Sequence, residues 1–150
     1  MDAQDTALLT HLQRDATLSH QALAELTGMS TTTVWRRSQS LEASGILTAR
    51  VALVDPEKAG LGTAVLTDVS LVEHSPETRA AFERIVRTRA EIQECYAVSG
   101  SHDYQLLIRV RDIAAYERFL MVALLGHPAV ASANTSFVLR QLKFTTALPL

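Results

Sequence analysis

The stretch that most constrains this chain runs Ser30-Thr-Thr-Thr-Val-Trp-Arg-Arg-Ser-Gln-Ser-Leu-Glu-Ala-Ser-Gly45. A hydroxyl N-cap at Ser30 and a glycine stop at Gly45 predict a helix between them. At about 100° per residue, Val34, Ser38 and Leu41 share one face. Thr32, Arg36 and Gln39 share the opposite face, with Trp35 beside them. A thin apolar seam backed by hydroxyl, guanidinium and amide groups suits insertion into a DNA major groove. The same pattern also fits an ordinary amphipathic helix with a solvated outer face, so the flanking sequence has to decide.

Upstream, residues 2–14 predict a helix in which Leu8, Leu9 and Leu12 form an apolar stripe. Asp2 and Asp5 suit its positive N-terminal end. After a short connection, Ser19 caps a second helix with Ala22, Leu23 and Leu26 on its inner face. Thr27-Gly28-Met29 then forms a tight turn, in which glycine is free to take a positive φ. Three helices, the last two joined by a turn of about three or four residues containing glycine, make the helix-turn-helix pattern. The second and third helices form a rigid pair, so the third can be presented to a groove. Residues 46–54 are β-prone and carry no helix signal, which predicts a wing or linking strand with Arg50 placed to reach a phosphate. Residues 55–62 hold Pro56, Gly60 and Gly62, and the domain boundary is expected there. The predicted division is therefore 1–54, a linker at 55–62, and 63–150.

Charge is a weaker guide. Net charge is −2, and Arg14, Arg36, Arg37 and Arg50 face Asp2, Asp5, Asp15, Glu25 and Glu42 in the first fifty residues. Any DNA contact must rest on local placement, with three of those four arginines in or just after the central helix. No apolar run reaches the roughly 18 residues that a membrane span needs. The N-terminus is acidic, unlike a secretory signal, and the single Cys95 offers neither a disulfide framework nor a metal cluster. A cytoplasmic protein without metal or cofactor is expected.

The second half has another rhythm. Residues 63–73 are strand-like, and Ser75-Pro76-Glu77 opens a helix whose core stripe is Phe82, Ile85 and Val86. Residues 91–99 predict a strand, 100–103 a hairpin loop, and Tyr104 to Val110 another strand. Asp112 caps a helix carrying Ile113, Tyr116, Phe119, Leu120, Ala123 and Leu124, ended by Gly126 and Pro128, and residues 129–143 return as a strand. The order βαββαβ is that of a ferredoxin-like unit, giving an α+β chain. Its strands look apolar on both sides: Leu106, Ile108 and Val110 alternate with Leu107, and Tyr96 and Val98 with Cys95 and Ala97. Two helices cover only one face of a four-stranded sheet, so a homodimer packed sheet to sheet is expected to cover the other.

The two halves together resemble the Lrp/AsnC, or feast/famine, family of transcriptional regulators, from Asp2 to about Lys143. In the first half the resemblance rests on Asp2, Asp5, Leu8-Leu9, Leu12, Asp15, Ser30, Thr32, Arg37 and Leu41-Glu42 with Gly45-Ile46. In the second it rests on Ile92-Gln-Glu-Cys-Tyr-Ala-Val-Ser-Gly100, Asp103-Tyr104, Tyr116 and the Thr135 to Lys143 part of the last strand. The resemblance implies a winged helix-turn-helix joined to an effector-sensing RAM domain. It implies dimers through the RAM sheets, often octamers of four dimers, and an amino acid or related metabolite bound at contacts between dimers. The effector contacts it suggests are Gly100, Ser101, His102, Asp103, Tyr104 and Thr135. The chain departs from the family pattern at Ser101-His102, where an acidic or aromatic pair is common. It also departs at Ser38, usually an apolar core residue, and at Arg50, often an aromatic. The Ser38 hydroxyl would need a partner, for example a carbonyl one turn earlier.

Arg36 and Gln39 are the expected base readers, because arginine pairs bidentately with guanine and glutamine with adenine. Ser30, Thr31, Thr32 and Thr33 are expected to hold phosphates or cap the helix, which positions without specifying. Arg37 sits at the edge of the apolar seam, where either a phosphate contact or an internal salt bridge to a helix-one acid is open. Trp35 either touches a thymine methyl or sugar, or covers the core. In the loop, Gly100 would let a ligand approach the backbone, with Ser101 and Asp103 addressing an amino acid's charged ends. The alternative is a glycine hairpin with Asp103 bonded to its own backbone. His102 titrates near neutrality if unperturbed, which would make an effector response pH-dependent. Cys95 is expected to be a small buried residue.

The expected function is sequence-specific regulation of transcription through double-stranded DNA. Two other classes remain open: a decarboxylase of haem biosynthesis, since some resemble this family along the whole chain, and a DNA-free amino acid sensor. No nucleophile–base pair, metal cluster or phosphate loop favours the enzyme.

Overall fold

The computed structural model describes residues 1–150, which divide into two compact units: Met1–Leu53 with Leu142–Leu150, and Val54–Gln141. In the first unit, α1 (Ala3–Leu12) starts at a reciprocal capping box. Asp2 accepts from the Asp5 amide at 2.9 Å, and Asp5 accepts from the Asp2 amide at 3.1 Å. Ser19 caps α2 (His20–Thr27), which stops at Gly28 with φ +69°, a conformation that favours glycine. Ser30 caps α3 (Thr31–Ala43) through the Thr33 amide at 3.2 Å. Leu8, Leu9 and Leu12 of α1, Leu23 and Ala24 of α2, and Val34 and Leu41 of α3 close on one core. Each fully buried aliphatic side chain stabilises such a core by about 1.5–3 kcal/mol.

The predicted strand at 46–54 does not form. The segment has no regular secondary structure, and its only backbone bond to a regular element is from the Leu47 amide to the Leu41 carbonyl, 3.0 Å. A strand needs a partner ladder, and within one chain this segment has none. Val51, Leu53 and Val54 are 70%, 63% and 73% exposed. The C-terminal residues also depart from expectation. Residues 142–150 belong with the first unit, where the Leu148 amide donates to Gln13 Oε1 at 2.6 Å.

The second unit has β1 (Thr63–Leu71), α4 (Pro76–Thr88), β2 (Ile92–Ala97), β3 (Tyr104–Val110), α5 (Ile113–Phe119) continued by a π turn at Leu120–Leu124, and β4 (Val130–Phe137). All pairings are antiparallel, in the order β2-β3-β1-β4, which is the ferredoxin-like arrangement. The strand expected over 129–143 ends at Phe137, because its ladder partner β1 begins at Thr63. Val65, Val69, Leu106, Ile108, Phe82, Ile85, Tyr116 and Phe119 form the core between sheet and helices.

The open face of the sheet is less apolar than the sequence suggests. Alternation puts Leu66 and Asp68 on that side, paired in register with Leu107 and Gln105. Gln105 Nε2 donates to Asp68 Oδ1 at 3.0 Å. An apolar Leu66–Leu107 pair is thus bordered by a polar one, and the exposed apolar area is narrower than expected.

Candidate nucleic-acid interface and effector loop

The inner seam of α3 is as predicted: Val34, Ser38 and Leu41 are buried. The outward residues Thr31, Thr32, Trp35, Arg36, Gln39 and Ser40 are exposed. Trp35, at 52% exposure, does not cover the core. Ser30 and Thr33 are joined hydroxyl to hydroxyl at 2.8 Å and serve the cap. Arg36 has no acid within ion-pairing distance. Gln39 makes only a long 3.5 Å contact to Glu42. Arg50 is paired with the same Glu42 at 2.7 Å, so its charge is partly neutralised.

Arg37 is turned the other way. Its Nη1 lies 2.7 Å from Asp5 and 3.0 Å from Asp2, and its Nη2 donates to Gln4 Oε1. Of the two readings left open for Arg37, the geometry favours the internal salt bridge: the guanidinium ties α3 to the first turn of α1. The pairing raises the arginine's pKa above its ordinary value, chiefly through the Asp5 hydrogen bond. Asp2 is held below the ordinary carboxylate value, first by the Asp5 amide and then, against a desolvation cost, by Arg37. The clamp also engages two of the five acids in this unit, offsetting one of their two charges, and leaves Arg36 as the free cation of α3. Sequence reasoning missed Gln4 as a clamp member, since a surface glutamine in a first turn carries no signal. Ser38 departs from the expected back-bond: its Oγ is buried and makes no hydrogen bond, as is Arg37 Nε.

The loop at 100–104 uses its side chains internally. Gly100 takes φ +124°, a backbone that favours glycine. Asp103 does not bond its own backbone. Its Oδ2 accepts from the Leu71 amide of β1 at 2.8 Å, and its Oδ1 is 3.3 Å from His74 Nδ1. Its amide donates to the Val69 carbonyl, and its carbonyl accepts from the Val98 amide. His102 Nδ1 lies 3.3 Å from Ser70 Oγ. Tyr104 stacks on Phe82 with ring centroids 4.6 Å apart, and burial raises its phenol pKa. Thr135 is not brought to the loop. It pairs in register with Thr67, and its hydroxyl lies 2.6 Å from the Tyr116 hydroxyl, which in turn meets Thr67 Oγ1 at 2.9 Å. Ser99, Gly100 and Ser101 remain the exposed part of the loop.

Residues 64–148 match the Lrp/AsnC ligand binding domain, and residues 1–42 match the AsnC-type helix-turn-helix domain. The chain belongs to the Lrp/AsnC family. It is 37% identical over 150 residues to the DNA-binding transcriptional activator DecR of Escherichia coli, covering all of this chain and 99% of that protein. It is also 37% identical to the glutamate uptake regulatory protein of Zymomonas mobilis, covering all of this chain and 91% of that one. Among solved structures, a Neisseria meningitidis transcriptional regulator in complex with L-Met superposes with a TM-score of 0.95 at 34% identity, over 99% of this chain and 96% of that one. The chain is thus a DNA-binding transcriptional regulator of the Lrp/AsnC type, with a small-molecule-binding domain after its helix-turn-helix.

Cys95 is a half-buried strand residue packed against the sheet–helix core, and its thiol pKa is pushed up by burial and by Glu83. No helix is long and apolar enough to cross a membrane.

Proposed function

We propose that α3 is the base-reading element of this regulator, with Arg36 and Gln39 addressing base edges and Ser30 to Thr33 and Arg50 lying near phosphates. The observation that carries this is the contrast between adjacent arginines: Arg37 is tied to α1, while Arg36 points outward without a partner. A guanidinium held on a rigid helix and free of acids is the group that pairs bidentately with guanine. Replacing Arg36→Ala is expected to weaken binding to the preferred operator by about 1–3 kcal/mol and to relax base preference. Equal losses on operator and random DNA, measured by mobility shift, would make Arg36 a phosphate contact only.

The effector is an amino acid or a close relative of one. The L-Met complex of the Neisseria regulator and the glutamate-linked name of the Zymomonas relative support this class. Here the exposed backbone of Ser99 to Ser101 serves the ligand more than the Asp103 carboxylate, which is already engaged by Leu71 and His74. The working unit is a homodimer or a larger ring of dimers. The exposed apolar side chains of Val51, Leu53, Val54, Leu142 and Phe144 support this, since exposed hydrophobic groups clustered in that way mark association surfaces. The chain acts in the cytoplasm and regulates rather than catalyses, as the names of its end-to-end relatives support. Genomic footprinting with and without an amino acid panel tests the whole reading, and an absence of discrete sites in every condition would sink it.

A further inference from the structure

A second candidate site lies in the ligand-binding unit, at the opposite end of β3 from the effector loop. Seven residues of strand span roughly 20 Å, so the two places are separate. There, a cavity of about 390 Å³ is lined by Arg89 at the end of α4, Arg111 just after β3, and Arg118 in the last turn of α5. None of these three guanidiniums has a carboxylate within 4 Å or any hydrogen-bond partner. Arg109, also on the rim, is engaged with Gln141 at 3.4 Å. The one acid lining the cavity is Glu91, and Gln141 is neutral, so four arginines against one carboxylate leave three uncompensated positive charges. The wall also includes Phe119, which is buried, and Val122, which is 71% exposed.

We propose that this cavity binds a small phosphorylated metabolite, with Arg89, Arg111 and Arg118 on its phosphate and the Phe119–Val122 wall against its organic body. Guanidinium forks match phosphate oxygens bidentately, and a phosphomonoester dianion offsets most of the surplus charge. A zwitterionic amino acid would leave the surplus uncompensated. A concave site of this size takes a compact anion, whereas a duplex backbone lies along an open surface. Nothing in the sequence announced the site. The three arginines come from three different elements, and only the fold brings them together.

The test is titration calorimetry on the full-length protein with phenyl phosphate and with orthophosphate. Phenyl phosphate is expected to bind about tenfold or more tightly than orthophosphate. The Arg111→Gln, Arg118→Gln double variant is expected to lose about tenfold or more for both, as charge-assisted hydrogen bonds of this kind imply. Arg118→Lys keeps the charge without the fork and is expected to fall between. Because Arg118 is exposed on a last helical turn, Arg118→Gln alone repeats the test should the double variant fold poorly. Equal binding by wild type and variants, or no binding of either probe at millimolar concentration, would overturn the proposal. Equal affinity for the two probes would overturn the organic-body part of it. If the variants instead lost random-DNA affinity with no anion present, the arginines would be duplex contacts and the metabolite site would be refuted. None of these outcomes depends on whether Arg36 reads bases.

Discussion

Along α3 the outward side chains Thr32, Arg36 and Gln39 carry hydrogen-bonding capacity that the chain itself leaves almost unused. Around the Gly100 to Tyr104 loop the reverse holds: Asp103, His102 and Tyr104 each have a partner on β1 or in the core. Both regions look like sites in the sequence, and both carry polar residues next to a glycine turn. The difference is what holds each in place. A helix satisfies its own backbone, so the side chains of its outer face are left for a ligand. A loop must be braced by its side chains, and what remains for a ligand is mostly backbone. A helix site is therefore readable from side-chain identity, while a loop site is readable only from its conformation.

The largest effect that would sharpen this contrast lies within α3, between its two adjacent arginines. Arg37→Ala removes the clamp on Asp2, Gln4 and Asp5 and leaves two acids facing each other across a capping box. It is expected to lower the melting temperature of the helix-turn-helix unit by roughly 5 °C or more, and to weaken all DNA binding in parallel. Arg36→Ala should leave the melting temperature within the scatter of surface substitutions and alter specificity alone. Were thermal melts of the two variants indistinguishable, the division of labour between the arginines would be wrong.

In the loop, Asp103→Ala leaves the Leu71 amide without its acceptor, and Leu71 is only 7% exposed. An orphaned donor of that kind costs about 2 kcal/mol. Asp103→Asn should recover most of it, because an amide oxygen can still accept. Denaturant unfolding monitors the bracing, and calorimetry with an amino acid panel monitors the ligand. A variant that lost all effector binding with unchanged stability would mean that Asp103 grips the ligand directly, and the loop would then resemble α3.

The sequence carried most of the fold because its punctuation is local. Ser19, Ser30, Ser75 and Asp112 cap the helices they were expected to cap. The same is true of the inner seam of α3 and the βαββαβ order. What escaped it depends on distant partners. Residues 46–54 have the composition of a strand and lack a ladder, so propensity was overruled by topology. The in-chain partners of Thr135 are equally hidden from sequence: antiparallel register sets it against Thr67, and its hydroxyl meets that of Tyr116. Arg37 was ambiguous because helical angle alone does not say which acids α1 brings near. The second face of the sheet is less apolar than its strand compositions suggest, because register sets the Asp68–Gln105 pair beside Leu66 and Leu107.

A smaller effect is expected on the inner side of α3. Ser38 is 1% exposed, and its hydroxyl has no partner. By contrast, Thr10 and Thr27 return their hydroxyls to the carbonyl four residues back, at 2.8 and 2.6 Å. Ser38→Ala removes an unsatisfied group, restores an apolar seam and favours helix, so a gain of about 1 kcal/mol is expected. If instead the substitution destabilised the unit in denaturant melts, the hydroxyl would have a water or backbone partner, and both faces of α3 would be polar by design.

The smallest effect concerns acid, and it separates the two regions by pH. Asp2 and Asp15 are both held below the ordinary carboxylate value of 3.8, Asp2 first by the Asp5 amide and Asp15 first by the Thr17 hydroxyl. A carboxylate with a depressed folded-state pKa contributes stability that is fully present above its unfolded value and is lost as pH falls through its folded value. The helix-turn-helix unit should therefore hold its melting temperature from neutrality down to about pH 4 and lose stability below that. Arg37→Ala should shallow the acid limb only in part, because the Asp5 amide and the Thr17 contacts remain. An acid limb that Arg37→Ala abolished altogether would assign the whole carboxylate effect to the clamp. The capping box would then be a consequence of Arg37 and not an independent support of the helix that carries Arg36.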